Sequence, residues 1–306
     1  MDRIIIFMAI LLPVMMFTMS SAVNSNAQDT YLVYGGKTDY SLVVSKNVSL
    51  SEKHAVEEFR NFWKEVTGSE IPVVELTNKL PAHCIAIGSE AASAVGINID
   101  INNLADEGFT IKTDGKNIAI AGGKLRGTMY GVYTFLEDVL GCRWYTSYVS
   151  RIPKKKTIKL PKINKTEKPD FEYRTMQFPD TWDGNWAARN KLNSSSAALS
   201  KEQGGSISYG RFAHTFAELV PSGAYYKDHP EYFSLRDGKR ISGDEGQLCL
   251  SNPDVIKIAT QTVLRWMDEN PNADIWSVSQ NDNVNYCQCD KCTAIANEEG
   301  SQAGPI

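Results

Sequence analysis

Between Thr30 and about Lys165 the apolar residues switch repeatedly between a period of two and a period of 3.6. Strands show the first period and amphipathic helices the second, so the alternation requires a mixed α/β domain. Strands are expected over Tyr40–Ser45, Ile71–Leu76 and Cys84–Gly88. A helix is expected over Ser51–Thr67, with Ala55, Val56, Phe59, Phe62, Trp63 and Val66 in one apolar stripe. Ser51 is its expected N-cap and Gly68 its left-handed terminator. Phe109–Thr113 and Asn117–Ala121 flank Asp114-Gly115, the strongest hairpin signal a short segment offers. Arg126–Leu140 reads as a second helix that turns Met129, Val132, Tyr133, Leu136, Val139 and Leu140 inward, with Gly141 closing it.

After Pro169 the pattern restarts. Strands are expected over Phe171–Phe178, Ser206–Phe216, Gly246–Leu250 and Ala273–Gln280. Helices are expected over Asn185–Leu192 and from Asn252-Pro253-Asp254 through Met267, the latter with Val255, Ile258, Ala259, Thr262, Val263 and Trp266 inward. This order is that of the first half of a (β/α)8 barrel. The chain has 306 residues, enough for two domains with real cores. The expected division is residues 1–27 as a signal peptide, 28–165 as the α/β domain and 166–306 as an incomplete (β/α)8 TIM-type barrel. A complete barrel takes ~250 residues, so a truncated product or incomplete coding fragment is expected.

Residues Ile4–Phe17 are apolar but for Pro13 and follow Arg3. The run is shorter than the ~20 residues that span a bilayer and fits the apolar core of a secretory signal. Cleavage is expected after Ala27, with Ala22 as the other site of suitable spacing and an uncleaved anchor as the other reading. The mature protein is therefore expected in the periplasm or secreted, with no membrane partner after cleavage. Net charge is −4, yet Arg151–Lys168 alone carries +7, which leaves −11 on the rest. A mainly acidic body with one basic connector excludes nucleic acid as the expected partner. The lysine run reads as solvated strand and connector.

Gly122-Gly-Lys-Leu-Arg-Gly-Thr-Met-Tyr-Gly-Val-Tyr-Thr-Phe-Leu-Glu-Asp-Val-Leu-Gly-Cys-Arg-Trp-Tyr145 resembles the last hairpin, helix and exit strand of the domain before the catalytic barrel in α-glucuronidases and β-N-acetylhexosaminidases. Gly122-Gly123 ahead of a helix also has the look of a phosphate loop, without its remaining spacing or its Lys-Ser/Thr. The later motifs HPEYFSLRDGKR, QLCLSNP and SVSQNDNVNYCQCDKCTAIANEEGS resemble a bacterial barrel family of unknown function that follows this type of N-terminal domain. The resemblance implies a glycoside-hydrolase-like architecture, with an oligosaccharide or polysaccharide as partner. It implies no particular reaction; the leading expectation on that architecture is O-glycosyl hydrolysis through paired carboxylates with no required cofactor. A non-catalytic glycan-binding or scaffold protein is the alternative.

Barrel sites lie at the C-terminal ends of the strands. There the resemblance puts Asn281-Asp282 where retaining barrel glycosidases carry an Asn followed by an acid. Asp282 is the candidate acid, or else a capping residue, and Asn281 a candidate sugar ligand. Asp180 and Asp183 are candidate acceptors for sugar hydroxyls. His214 is a candidate to bind an acidic sugar or orient Asp282, with a buried structural imidazole as the other reading. Trp182, Trp186, Tyr225, Tyr226 and Tyr232 offer faces for sugar stacking, or else are core. Cys84 and Cys142 read as inert packing residues. Cys249, Cys287, Cys289 and Cys292 suit either a structural Zn²⁺ or two disulfides.

Overall fold

The computed structural model describes residues 30–77 and 79–306, so the expected signal segment lies outside the described residues. The first region runs β1 (Tyr31–Val33), β2 (Ser41–Val44), α1 (Leu50–Thr67), β3 (Val73–Glu75), β4 (Cys84–Ile87), α2 (Ser89–Ala94), β5 (Phe109–Asp114), β6 (Asn117–Gly122) and α3 (Gly127–Phe135). Four short return strands follow: β7 (Arg143–Trp144), β8 (Ser150–Arg151), β9 (Ile158–Lys159) and β10 (Asn164–Glu167). A six-stranded sheet of order β10-β5-β6-β4-β2-β3 forms its centre. β3, β2, β4 and β6 are parallel, and β5 alone is reversed, pairing antiparallel with both β6 and β10. The protein is thus mixed α/β with a mixed sheet.

The central strands are apolar on both faces because both faces are covered. Large side chains (Leu42, Ile85, Ile87, Ile118, Ile120) pack with Phe59, Trp63, Met129 and Tyr133 of α1 and α3. The alternate small ones (Val43, Ala86, Ala119, Ala121) pack with Ala91 and Ala92 of α2. The two-residue strand period therefore sorts size as well as polarity.

The predicted apolar stripes of α1 and α3 are buried, Val139 being only half-buried. The N-cap of α1 is Ser49, not Ser51. Ser49 Oγ accepts the Glu52 N–H at 3.1 Å while Glu52 Oε2 accepts the Ser49 N–H at 2.9 Å, a capping box. Ser51 instead donates its hydroxyl to the Leu125 carbonyl at 2.5 Å. The phosphate-loop likeness of Gly122-Gly123 fails for a plain reason: the amides are spent inside the fold. Gly122 N–H donates to Thr128 Oγ1 and Gly123 N–H to Gly108 O. A Cβ on Gly123 would stand 1.7 Å from the Ala105 carbonyl, so this glycine serves close backbone packing.

The second region contains α4 (Gly184–Arg189), β11 (Tyr209–Arg211), α5 (Phe216–Leu219), α6 (Ser222–Tyr225), β12 (Leu235–Arg236), β13 (Lys239–Arg240), α7 (Pro253–Glu269), β14 (Ile275–Trp276) and α8 (Asp290–Glu298). The expected helix after Asn252-Pro253-Asp254 is α7, which Asn252 caps and whose first turn holds Pro253. The expected strands are far shorter. Phe171–Phe178 forms none, because Asn193 Oδ1 takes the Arg174 N–H and the Arg174 guanidinium binds the carbonyls of Phe171 and Lys191. Ser206–Phe216 is cut to β11, since Ala213 and His214 adopt φ of 48° and 52°, which no strand permits. Gly246–Leu250 makes only a bridge from Leu248 to Phe233. Ala273–Gln280 is cut to β14, which pairs in parallel with β11. Among the described residues, the expected barrel pairing is represented by this one parallel pair.

Buried polar contacts lock the two regions together. Glu107 pairs with Arg126 at 2.5 Å and with Arg174 at 2.6 Å, and accepts from Asn193 at 2.9 Å. Arg189 of α4 forks onto Glu58 of α1 at 2.8 and 3.2 Å and lies over the Phe62 and Trp144 rings.

Candidate functional site

β11 and β14 run parallel, so the segments leaving them emerge at the same edge. These segments stay zipped together. Thr215 Oγ1 donates to Ser277 O and accepts the Ser279 N–H, both at 3.0 Å, and Phe216 N–H donates to Ser279 O at 3.1 Å. His214 thereby comes beside Gln280, its Nδ1 3.2 Å from the Gln280 carbonyl. A carbonyl can only accept, so Nδ1 carries the hydrogen, and in the neutral form of the ring Nε2 is the acceptor. His214 is exposed, and the buried-imidazole reading does not hold.

Immediately after Gln280, Asn281 is buried and Asp282 is exposed. Gln247 produces this division. Its Oε1 accepts the Asn281 N–H at 3.0 Å, and its Nε2 donates to the carbonyls of Asn281 and Asn283 at 2.8 and 3.0 Å. Asn281 Nδ2 is committed to Gly246 O at 2.8 Å. The backbone is pinned, and the Asp282 carboxylate stands in solvent with no hydrogen-bond partner among the described residues. A cavity of about 30 Å³ lies behind this loop, lined in part by Gln247, Gln280, Tyr286 and Cys287.

The other predicted residues lie elsewhere. Asp180 is buried and accepts the Ser147 N–H, which holds its carboxyl below the usual range. Asp183 caps α4 by accepting the Trp186 N–H at 2.7 Å. Trp182 is exposed, as are Tyr145, Tyr148 and Phe178, so an aromatic surface surrounds the Ser147–Asp180 junction. Trp186 is in the core, with its indole N–H on Trp144 O at 3.1 Å, and Tyr232 is buried too. Tyr225 and Tyr226 are half-buried against Tyr232 and Phe233.

Cys84 and Cys142 are buried free thiols, and burial pushes both up, Cys142 to about 12. Cys249, Cys287, Cys289 and Cys292 converge, with all four Sγ atoms within 4.8 Å of one another. They lie close enough to hold one metal ion. The Cys287 thiol is held far below the ordinary thiol range by hydrogen bonds from Cys249 and Cys292 and by the Leu235 N–H at 3.4 Å. Sequence reasoning missed Gln247 and the β12–β13 hairpin. Gln247 stands two residues before Cys249 in the QLCLSNP motif, and that proximity was its only signal.

These features define a two-region α/β protein with a parallel strand pair and a thiol cluster at one loop edge. The chain belongs to the family described as "Domain of unknown function (DUF4838)", which matches residues 144–306, more than half of its length. Residues 32–135 match "Glycosyl hydrolase family 67 N-terminus". The curated proteins contain no match. Among solved structures, the chain is similar to a family GH115 4-O-methyl-alpha-glucuronidase with specificity for decorated arabinogalactans. The identity is 13% and the TM-score 0.48, over 84% of this chain and 42% of that one. Flavobacterium johnsoniae chitobiase is similar at 15% identity and TM-score 0.45, over 89% and 46% of the two chains. The GH20 beta-N-acetylhexosaminidase of Streptomyces coelicolor A3(2) is similar at 13% and 0.37, over 81% and 56%. The chain spans less than two thirds of the length of each.

Proposed function

We propose that this is an exported glycan-acting protein that hydrolyses O-glycosyl bonds through paired carboxylates. Residues 28–165 form its supporting α/β domain, and 166–306 the opening strand–helix units of a (β/α)8-type barrel. The observation that carries the reading is that His214 meets the Gln280 carbonyl, two residues before Asp282, beyond the C-terminal ends of two parallel strands, the edge where barrel enzymes assemble their sites. The family 67 N-terminal match over residues 32–135 supports it. So do the exposed apolar side chains Ile256, Leu264 and Val278, which further barrel units would cover.

Asp282 is the general acid in this scheme, paired with a second carboxylate ~5–5.5 Å away for retention or ~6.5–9.5 Å away for inversion. His214 accepts a hydrogen bond from the acid at Nε2 and so orients it, or binds an acidic sugar through Nε2–H once the ring is doubly protonated. Trp182 and its aromatic neighbours stack on sugar rings. A second reading, glycan binding without cleavage, draws support from the exposure of Asp282: a general acid is kept protonated by removal from water or by a neighbouring negative charge.

The test compares the full chain with Asp282→Asn on aryl uronides and aryl N-acetylhexosaminides, with oligosaccharide binding followed by calorimetry. Turnover that falls ~10²–10⁴-fold in the variant supports catalysis. Equal sugar binding by both proteins without turnover supports the binding reading. Neither binding nor turnover overturns both.

A further inference from the structure

We propose that Cys249, Cys287, Cys289 and Cys292 form a closed tetrathiolate centre for a thiophilic divalent cation, zinc, that clamps the Asn281–Cys292 loop to the segment carrying Gln247. This goes beyond the proposed function and stands whether or not the protein cleaves glycans.

Distance is the first argument. Zinc–thiolate bonds of ~2.3 Å in a tetrahedron put the sulfurs ~3.8 Å apart. Cys249 Sγ lies 3.7 Å from Cys289 Sγ and 3.9 Å from Cys292 Sγ. The fourth sulfur, Cys287, is inside the same 4.8 Å envelope. All four thiols are free, so the chain gathers them without joining any pair. One sulfur equidistant from two others suits a common central ion better than a set of pairwise bonds.

The surrounding groups are those a tetrathiolate needs. Four thiolates around a divalent ion leave two negative charges in a largely buried site, which N–H donors must offset. Leu235 N–H donates to Cys287 Sγ at 3.4 Å, and Arg240 Nη1 lies 3.9 Å from the same sulfur. Ser251 Oγ sits 3.1 Å from Cys292 Sγ and 3.6 Å from Cys289 Sγ. Cys289 is the N-cap residue of α8 and Cys292 is in its first turn, where the helix end favours negative sulfur.

The local fold also resolves how the tight Cys287–Gln288–Cys289 pair can serve one ion. Gln288 is pulled outward by the β12–β13 hairpin: its N–H donates to Leu235 O at 2.7 Å and its Oε1 accepts the Asp237 N–H at 2.9 Å. The flanking cysteines are left on the inner side. Four protein ligands leave no open position, so the centre is structural rather than catalytic. It joins the segment of Cys249 and Gln247 to the loop that Gln247 already holds at Asn281. Binding exchanges the thiol protons for the cation and involves no redox step.

The full chain is purified without chelator, its zinc measured by elemental mass spectrometry, and its thiols counted after denaturation without reductant. About one zinc per chain and a full complement of free thiols are expected. Cobalt exchange should give thiolate charge-transfer bands in the near ultraviolet and tetrahedral d–d bands in the red. Cys287→Ser should weaken zinc binding more than ~10-fold, whereas Cys84→Ser, in the first region, should leave it unchanged. Should Cys287→Ser fail to fold, the cobalt spectrum of the unsubstituted chain decides. Absence of metal, whether the cluster is disulfide-paired or free, overturns the proposal. So does metal retained with unchanged affinity in Cys287→Ser.

Discussion

Gln247 and Asn281 are paired as two strand residues would be, with a side-chain amide standing in for one of the backbones. Gln247 Oε1 accepts the Asn281 N–H at 3.0 Å, and Gln247 Nε2 donates to the Asn281 carbonyl at 2.8 Å. Nε2 reaches Asn283 as well, so one side chain sets the backbone path on both sides of Asp282. Gln247→Ala should cost about 1–3 kcal/mol for each buried group left unpaired, read as a lower urea midpoint. Gln247→Glu keeps an acceptor for the Asn281 N–H but sets a carboxylate oxygen against two carbonyls. It should therefore be no more stable than the alanine variant, and a glutamate variant as stable as the parent would contradict this geometry.

Glu107 joins the two regions from a buried position. Removing it strands Arg126, which is only 4% exposed. Arg126 retains the carbonyls of Gly204 and Gly205 but loses its counter-charge. Glu107→Ala should therefore destabilise by about 3–5 kcal/mol. Because Arg174 and Asn193 bind the same carboxylate from the second region, the loss should also split a single thermal transition into two. Calorimetry of the variant and parent reads both effects.

Alkali should unfold the first region. Burial pushes Cys142 up from 9.0 to about 12, and burial followed by the nearby Cys84 pushes Tyr40 up from 10.0 to about 12. The unfolded chain loses these protons at the ordinary values while the folded chain keeps them. Stability is thus undiminished below about pH 9 and falls as pH rises toward about pH 12. Thermal melts from about pH 8 to about pH 11 should show a steady fall in Tm, shallower in Cys142→Ala.

The start of α1 separates two serines two residues apart. Ser49→Ala removes the capping box and should cost about 0.5–2 kcal/mol. Ser49→Asp should recover most of that, since an aspartate also accepts the Glu52 N–H. Ser51→Asp should recover nothing, because the Ser51 hydroxyl donates to Leu125 O, a role a carboxylate cannot fill. Chemical denaturation of the three variants distinguishes them.

The first region was legible in the sequence because its signals are local. The Asp114-Gly115 turn sets the β5–β6 register, so that Asp114 faces Asn117 and Phe109 faces Gly122. Gly68 and Gly141 end helical segments in the left-handed conformation, as their positions after long apolar stripes predicted. Sequence pattern does not separate Ser49 from Ser51 as the cap of α1, because both serines precede the same stripe. Only the Leu125 carbonyl, brought in from the α3 side, decides between them.

The second region was less legible because its strand-like segments spend their backbone groups on side chains. Arg174, Gln247 and Thr215 take up peptide groups that a ladder would otherwise use, and the left-handed pair Ala213–His214 turns the chain out of β11. Composition and period by themselves determined the mixed α/β class, the helix faces and the clustering of three cysteines within six positions. Only tertiary structure decided that Cys249 joins them from 38 residues away, that Asp183 is a cap, that Asp282 faces solvent, and that His214 meets the Gln280 carbonyl. Periodicity records how one segment meets a surface. It carries no record of which distant segment supplies that surface, and long-range hydrogen bonds such as those of Gln247 exist only once the chain has closed upon itself.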